Sequence, residues 1–174
     1  MRLSNENVLI IPFEQCHITT IYKWYHSGKY EKFFGNIPLM TLTDAGSVKN
    51  IFMIVNPVEP NQIYGMFALS NIKERHRNLE LHAMICEEFQ NKGYLKDATK
   101  YIIYYILNCM NMYKVVALIE ESNEYAEKAA RYFGFEQEGL LKHEIYFNGE
   151  FKNIKRFYLT KGVFNKKFKK ELEG

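Results

Sequence analysis

Apolar residues along this chain recur in two periods, and the switches between them predict its elements. Val8-Leu9-Ile10-Ile11, ahead of Pro12, is a β-branched run of strand length. Ile18, Ile21, Tyr22 and Tyr25 recur at i, i+3, i+4 and i+7, which predicts a helix with one stripe toward a core. Gly28, Gly35 and Pro38 interrupt that period, so 26–40 reads as loop with a short helical piece. Ile51-Phe52-Met53-Ile54-Val55 and Tyr64-Gly65-Met66-Phe67-Ala68-Leu69 are strand runs flanking Asn56-Pro57-Val58-Glu59-Pro60-Asn61, a turn composition. From 79 to 85 the period is two, with Leu79, Leu81, Ala83 and Ile85 on one face and Glu80, His82 and Met84 on the other.

After Gly93, the residues Leu95, Ala98, Thr99, Ile102, Ile106 and Cys109 share one helical stripe, predicting about four turns that end near Met110. Val115-Val116-Ala117-Leu118-Ile119 is a continuous apolar run, the pattern of a strand covered on both faces. Asn123 suits an N-cap, Ala126, Ala129, Ala130 and Phe133 form the next stripe, and Gly134 stands where a left-handed C-terminal residue belongs. Two final strands, 136–147 and 152–159, join through Asn148-Gly149, a hairpin signal. Helices interleaved with strands in this order predict an α/β chain with a mixed sheet.

A chain of 174 residues is the size of one domain, and 47% hydrophobic with 25% charged residues excludes wholesale disorder. Aromatics reach 16%, so a single aromatic motif carries little weight here. The net charge of +3 is unevenly placed: residues 1–160 hold 18 basic and 18 acidic side chains, while 161–174 hold five lysines against Glu171 and Glu173. This divides the chain into a neutral domain, 1–160, and a basic C-terminal tail, 161–174. So small an excess argues against a nucleic-acid partner. Cys16, Cys86 and Cys109 lie far apart with no paired spacing, which argues against disulfides and against a metal site. The charge-free stretch from Tyr101 to Tyr113 is too short to cross a bilayer, and Met1 to Glu6 has no signal-like apolar region. A cytoplasmic protein with no membrane partner is expected.

The most informative segment is Ile85-Cys86-Glu87-Glu88-Phe89-Gln90-Asn91-Lys92-Gly93-Tyr94-Leu95, between a strand and a helix. A loop with Gly and Lys that opens a helix offers free backbone N–H groups and a positive dipole end, suited to a pyrophosphate. The plainer reading is an ordinary strand-to-helix turn. Gln90-Asn91-Lys92-Gly93-Tyr94-Leu95 resembles the acyl-CoA-binding motif of the GNAT N-acetyltransferase superfamily, Gln/Arg-x-x-Gly-x-Gly/Ala. Together with Glu80, Asn123, the Gly134-to-Gly139 segment and Gly149, it is similar to the branch of ribosomal-protein N-terminal acetyltransferases. The likeness extends from the opening strand to Leu159. It implies a single GNAT-like domain whose mostly antiparallel sheet, flanked by helices, is splayed at the CoA site between the strands at 79–85 and 115–119.

The resemblance further implies acetyl-CoA as cosubstrate. Backbone near Met84, Ile85 and Glu87 would pair with the pantetheine arm, and the N–H groups of Gln90, Asn91, Lys92, Gly93, Tyr94 and Leu95 would hold the pyrophosphate. Asn123 would contact the pantetheine arm and Lys128 the adenosine end. Two positions depart from the pattern. Leu95 replaces the second small residue, and Ala130 stands where relatives carry the Tyr that protonates the leaving thiolate, with Ala126 in place of a common Ser.

Direct transfer needs an uncharged amine, so the site must remove a proton. Glu80 and His82 share a strand face and are the candidate catalytic residues. A lysine-like amine of pKa about 10.4 costs roughly 4.6 kcal/mol to neutralise at pH 7, an α-amine near 7.8 only about 1 kcal/mol, so a weak base relay suits a peptide N-terminus or a similarly acidic amine better than a lysine. The competing readings are a Glu80 paired with a neighbouring Lys or Arg, and a His82 that is simply buried and hydrogen-bonded. Trp24, Tyr25, Phe33 and Phe34 lie in the region that shapes the acceptor pocket in the resembled family, with core packing as the alternative. Cys86 has no adjacent His-Asp pair and reads as a small hydrophobe rather than a nucleophile. The expected partner is a small-molecule amine, such as an aminosugar or polyamine, or a peptide N-terminus; a homodimer stays open. The competing function is a CoA-binding or protein-interaction module with little catalysis.

Overall fold

The computed structural model describes residues 3–34 and 50–174, except for the Phe34 side chain. Gly35 and Pro38 of the expected loop therefore lie outside the described residues. Seven strands are ordered β1-β2-β3-β4-β5-β7-β6: β1 Leu9–Pro12, β2 Ile51–Val55, β3 Ile63–Lys73, β4 Asn78–Ile85, β5 Lys114–Glu120, β6 Glu136–Phe147 and β7 Glu150–Thr160. The helices are α1 Ile18–His26, α2 Glu31–Phe34, α3 Tyr94–Tyr104, α4 Glu124–Phe133 and α5 Lys161–Glu173. The sheet is mixed: β4 and β5 run parallel, while β1–β2, β2–β3, β5–β7 and β6–β7 pair antiparallel. Two compact units are distinguished, Met1–Leu69 with His82–Ala98 and Ser70–Leu81 with Thr99–Gly174.

In the first unit β2 is buried along its whole length, and its Ile51, Met53 and Val55 join Phe13, Ile21, Met66, Ala68, Met84 and Cys86 in one apolar cluster. The helical stripe predicted for α1 is rotated. Ile21 is buried and Trp24 half-buried, whereas Tyr22 and Tyr25 are exposed. Ile18, Ile21 and Trp24, three apart, form the inward line and pack with the cluster.

In the second unit the parallel ladder has three pairs, Asn78–Lys114, Leu79–Val115 and Glu80–Val116, although β4 continues to Ile85 and β5 to Glu120. Along β5, Val115, Val116 and Ile119 are buried and Ala117 and Leu118 half-buried. The alternation expected for β4 holds through Leu79, Glu80, Leu81 and His82 and then reverses. Ala83 is exposed, and Met84 is buried in the apolar cluster of the first unit. Cys109 is likewise exposed rather than on the α3 stripe. A π turn spans Tyr105–Cys109, and its wider turn slips the 3.6-residue register, so Ile106 and Leu107 are the buried pair. Asn148 (φ 51°) and Gly149 (φ 80°) make the expected tight turn between β6 and β7, since consecutive positive φ angles match the strand twist.

Residues 161–174, expected as a basic tail, contain helix α5. Phe164 and Phe168 are buried, Phe168 sits 5.8 Å from Phe133, and Asn165 and Asn108 exchange hydrogen bonds of 2.9 and 3.0 Å. Its charges find partners within the unit, Lys100 with Glu171 at 2.6 Å and the Tyr104 hydroxyl donating to Glu173 at 2.6 Å. The lysine count concealed a phenylalanine pair at i, i+4, the spacing that makes a helix stripe.

Phe168→Ala is expected to cost about 3–5 kcal/mol of stability, read as a lower urea midpoint; a segment with no packing role would leave the midpoint unchanged. The hydrogen bond to Glu173, aided by burial, raises the Tyr104 hydroxyl from its ordinary pKa of 10.0 to about 12. The stabilisation is therefore full below pH 10 and lost as pH climbs toward 12. Tyr104→Phe should make the alkaline decline of melting temperature shallower over that window.

Candidate active site

The loop after β4 is built by short local bonds. Glu87–Phe89 forms a 3-10 turn, with the Phe89 N–H donating to the Cys86 carbonyl at 2.9 Å and the Gln90 N–H to the Glu87 carbonyl at 3.2 Å. Upstream, the Cys86 N–H donates to the Tyr64 carbonyl at 2.8 Å. At Gly65 the backbone of β3 lies so close to β4 that an added Cβ would stand 2.1 Å from the Met84 carbonyl oxygen. That glycine is required by contact, since no side chain fits there.

Asn91 (φ 60°) and Gly93 (φ 83°) then adopt left-handed conformations on either side of Lys92, before α3 begins at Tyr94. Alternation of this kind turns successive N–H groups to one side and makes an anion-binding concavity. The first-turn N–H groups of α3 have no acceptor within the helix. Gln90, Asn91, Lys92 and Gly93 are exposed and Tyr94 and Leu95 half-buried. Aromatic packing pins the loop: the Tyr94 ring stacks on buried Tyr64 at 4.4 Å, and Phe89 meets the same ring at 4.6 Å. The Lys92 ammonium lies 5.3 Å from the Phe89 ring.

The segment after α1 reaches this loop in the same unit. The Glu87 N–H donates to the Tyr30 hydroxyl oxygen at 3.2 Å, and Lys29 pairs with the Glu87 carboxylate at 2.8 Å. The Glu87 backbone, expected beside a pantetheine arm, thus has internal partners for both its N–H and its carbonyl. Trp24 and Phe33 pack on the apolar cluster, with Trp24 edge-on to Tyr30 at 6.3 Å, while Tyr25 is exposed beside His26. Burial pushes the Cys86 thiol up to about 12, against a lowering hydrogen bond with Tyr30, so it stays protonated at neutral pH, as a small hydrophobe would.

In the second unit, Glu80 heads a polar row on one face of the sheet. Its carboxylate accepts from the Asn71 side-chain amide at 3.1 Å and the Ser70 hydroxyl at 3.5 Å, and faces the Arg156 guanidinium at 3.6 Å. Asn71 reaches it from a left-handed backbone, φ 49°. Arg156 Nε donates to Glu138 at 2.8 Å, and Lys114 Nζ donates to the other Glu138 oxygen at 2.7 Å. Burial favours a protonated Glu138, but the hydrogen bonds from Lys114 and Arg156 outweigh it and hold the carboxyl below its usual range. The Tyr158 hydroxyl donates to Glu136 at 3.2 Å, and the nearby charge of Glu136 raises its pKa. His82 is half-buried.

Asn123 caps α4, its side-chain oxygen accepting from the Ala126 N–H at 3.1 Å, and Lys128 is exposed on the same helix. Ala130 is buried, while Tyr125 and Tyr132 are exposed. Arg156, Lys114, Ser70 and Asn71 belong to no sequence motif, and Glu138 lay in the Gly134-to-Gly139 segment without a role assigned to it; strand pairing brings them into one row with Glu80. One signal was available, the alternation of Arg156 and Tyr158 along β7.

The acetyltransferase (GNAT) domain family matches residues 8–136. The chain belongs to the GNAT acetyltransferase family. Its relatives within that family include the spermidine N(1)-acetyltransferase of Escherichia coli (strain K12), 35% identical over 92 residues, 53% of this chain and 50% of that protein. "Putative ribosomal N-acetyltransferase YdaF" of Bacillus subtilis (strain 168) is 26% identical over 112 residues, 62% of this chain and 61% of that protein. The matched stretch thus spans about half the length of the Escherichia coli relative. In fold, this GNAT chain matches the crystal structure of Vibrio cholerae spermidine N-acetyltransferase in complex with CoA and spermine. The TM-score is 0.82 at 19% identity, covering 92% of this chain and 99% of that one. A Bacillus anthracis GNAT acetyltransferase matches with TM-score 0.76 at 17% identity, covering 93% and 99%. The motif-based assignment to the GNAT family therefore stands. Among the described residues no helix is long and apolar enough to cross a membrane.

Proposed function

We propose that this chain is an acetyl-CoA-dependent N-acetyltransferase whose acceptor is a primary amine of a small polyamine. The carrying observation is the loop at the start of α3, where Asn91 and Gly93 are both left-handed and flank exposed Lys92, a backbone pattern that suits an anion-binding nest. The donor set fits a pyrophosphate: amide N–H groups, a helix N-terminus and one lysine, with no carboxylate among Gln90 to Leu95 to repel it. When bound there, acetyl-CoA supplies the activated acyl group. Lys128 is the proposed contact for its adenosine end; Asn123 offers its side-chain amide N–H to the pantetheine arm, because its oxygen is used in capping. Met84 and Ile85 are proposed to supply backbone partners to the same arm.

The acceptor assignment draws on the relatives, three of which are named for spermidine. An aliphatic ammonium of this kind costs about 4.6 kcal/mol to neutralise at pH 7, so a polyamine acceptor needs a base more than a peptide N-terminus does. Glu80, 3.6 Å from the Arg156 guanidinium, is the proposed acceptor of that proton, with His82 two residues along the strand as the second candidate. The neutral nitrogen then forms the C–N bond to the acyl carbon as the C–S bond breaks; the acylated nitrogen releases its extra proton to solvent, and the departing sulfur takes up a proton. Ala130 supplies none, so that proton comes from solvent or another group. Trp24 and Phe33, packed on the first unit's core, serve as rigid wall rather than mobile contacts; Tyr25 remains an exposed candidate.

Free thiol release should follow mixing of the protein with acetyl-CoA and spermidine, with less release for a peptide N-terminus or an aminosugar. Glu80→Gln should lower kcat at least tenfold. Gly93→Ala, which meets no neighbour within 4 Å but strains φ 83°, should raise the KM for acetyl-CoA about five- to thirtyfold. CoA binding without turnover on any of the three amines would instead favour a binding module.

A further inference from the structure

We infer that Arg156 is a positioning residue for Glu80, itself held in place by Glu138 and Lys114. The inference rests on the reading of Glu80 as the proton acceptor. Four alternating charges form a chain within the second unit: Lys114 to Glu138 at 2.7 Å, Glu138 to Arg156 at 2.8 Å, and Arg156 to Glu80 at 3.6 Å. Each link engages a different atom. Glu138 uses one oxygen for each cation, and Arg156 gives Nε to Glu138 and NH1 to Glu80. The planar guanidinium fixes the angle between those two donors, so holding Nε aims NH1.

Sheet register explains why Glu138 can do this. Gln137 opposes Phe157 and Gly139 opposes Arg156, so Glu138 is the extra residue of a bulge, with no β7 partner of its own. A bulge re-aims the side chain it carries. Across the neighbouring ladder Leu118 pairs with Arg156 and Val116 with both Glu80 and Tyr158, which sets Glu80, Val116, Leu118, Arg156 and Tyr158 on one face. The four charged side chains are 14% (Glu80) to 30% (Arg156) exposed. At that depth their mutual attraction is screened far less than on an open surface. Asn71 and Ser70 hold Glu80 from the opposite strand, β3, so its carboxylate is gripped from two sides.

The test is a double-mutant cycle on kcat at saturating acetyl-CoA and spermidine, with thermal melts to verify folding. Arg156→Gln and Glu138→Gln should each lower kcat about tenfold, with the KM for acetyl-CoA changed less than twofold, and Arg156→Lys should recover part of the loss. In the Glu80→Gln background, Arg156→Gln should add less than twofold, because a residue acting through Glu80 has nothing left to position. A further tenfold loss in that background overturns the proposal. So does parental kcat in both Arg156→Gln and Glu138→Gln while Glu80→Gln is impaired, a result that leaves the base assignment standing. Parental kcat in Glu80→Gln removes the base assignment and this proposal with it. Should Arg156→Gln not fold, the cycle with the near-isosteric Glu138→Gln carries the same test.

Discussion

A parallel strand pair cannot be closed by a tight turn, and that restriction on β4 and β5 organises the chain around it. Between Ile85 and Lys114 the chain must travel back along the sheet, and it does so through the 86–93 loop, α3 and a π turn. A crossover of this kind places a helix N-terminus directly after the C-terminal end of a strand, where backbone N–H groups and the helix dipole point the same way. The loop proposed for the pyrophosphate follows from that placement. The left-handed Asn91 and Gly93 let the loop enter the helix, and the Tyr64–Tyr94–Phe89 packing keeps the entry angle.

The charged row in the second unit obeys a different physics. Half-buried ions are costly to desolvate, and alternation of sign is what makes such a cluster tolerable. Lys114, Glu138, Arg156 and Glu80 alternate, so each charge has an opposite neighbour, and the set is neutral. By contrast, the Lys29–Glu87 pair, with both side chains more than half exposed, contributes little to stability. Its interest is geometric, since with Tyr30 it ties the segment after α1 to the loop after β4.

Much of this was legible in the chain itself. The strand at 79–85, the Gly-containing loop, the N-cap at Asn123, the left-handed Gly134 (φ 97°) and the Asn148-Gly149 turn all depend on residues adjacent in sequence, and all are present. Where the reading failed, the cause lay farther off. Tyr22 and Tyr25 fit a helical period, but α1 turns Ile21 and Trp24 inward instead. Cys109 left its stripe because one wider turn intervened. Met84 reversed its expected role because the far half of β4 packs in a different core from the near half. The lysines of 161–174 masked Phe164 and Phe168; the Phe168 ring meets Phe133 and lies 5.9 Å from the Lys100 ammonium of α3, both distant in sequence.

Local periodicity, turn chemistry and one short motif were thus enough to establish the element order as far as β7, the α/β class with its mixed sheet, and the loop proposed for the pyrophosphate. These depend on interactions within a few residues, where sequence spacing translates directly into geometry. The surroundings of Glu80 were beyond that reach. Its partners come from β3 and β7, up to 76 positions away for Arg156, and a bulge invisible to periodicity aims Glu138 of β6 at that arginine. Side chains brought together by strand register share no spacing along the chain, so only the folded sheet could assemble that row of charges.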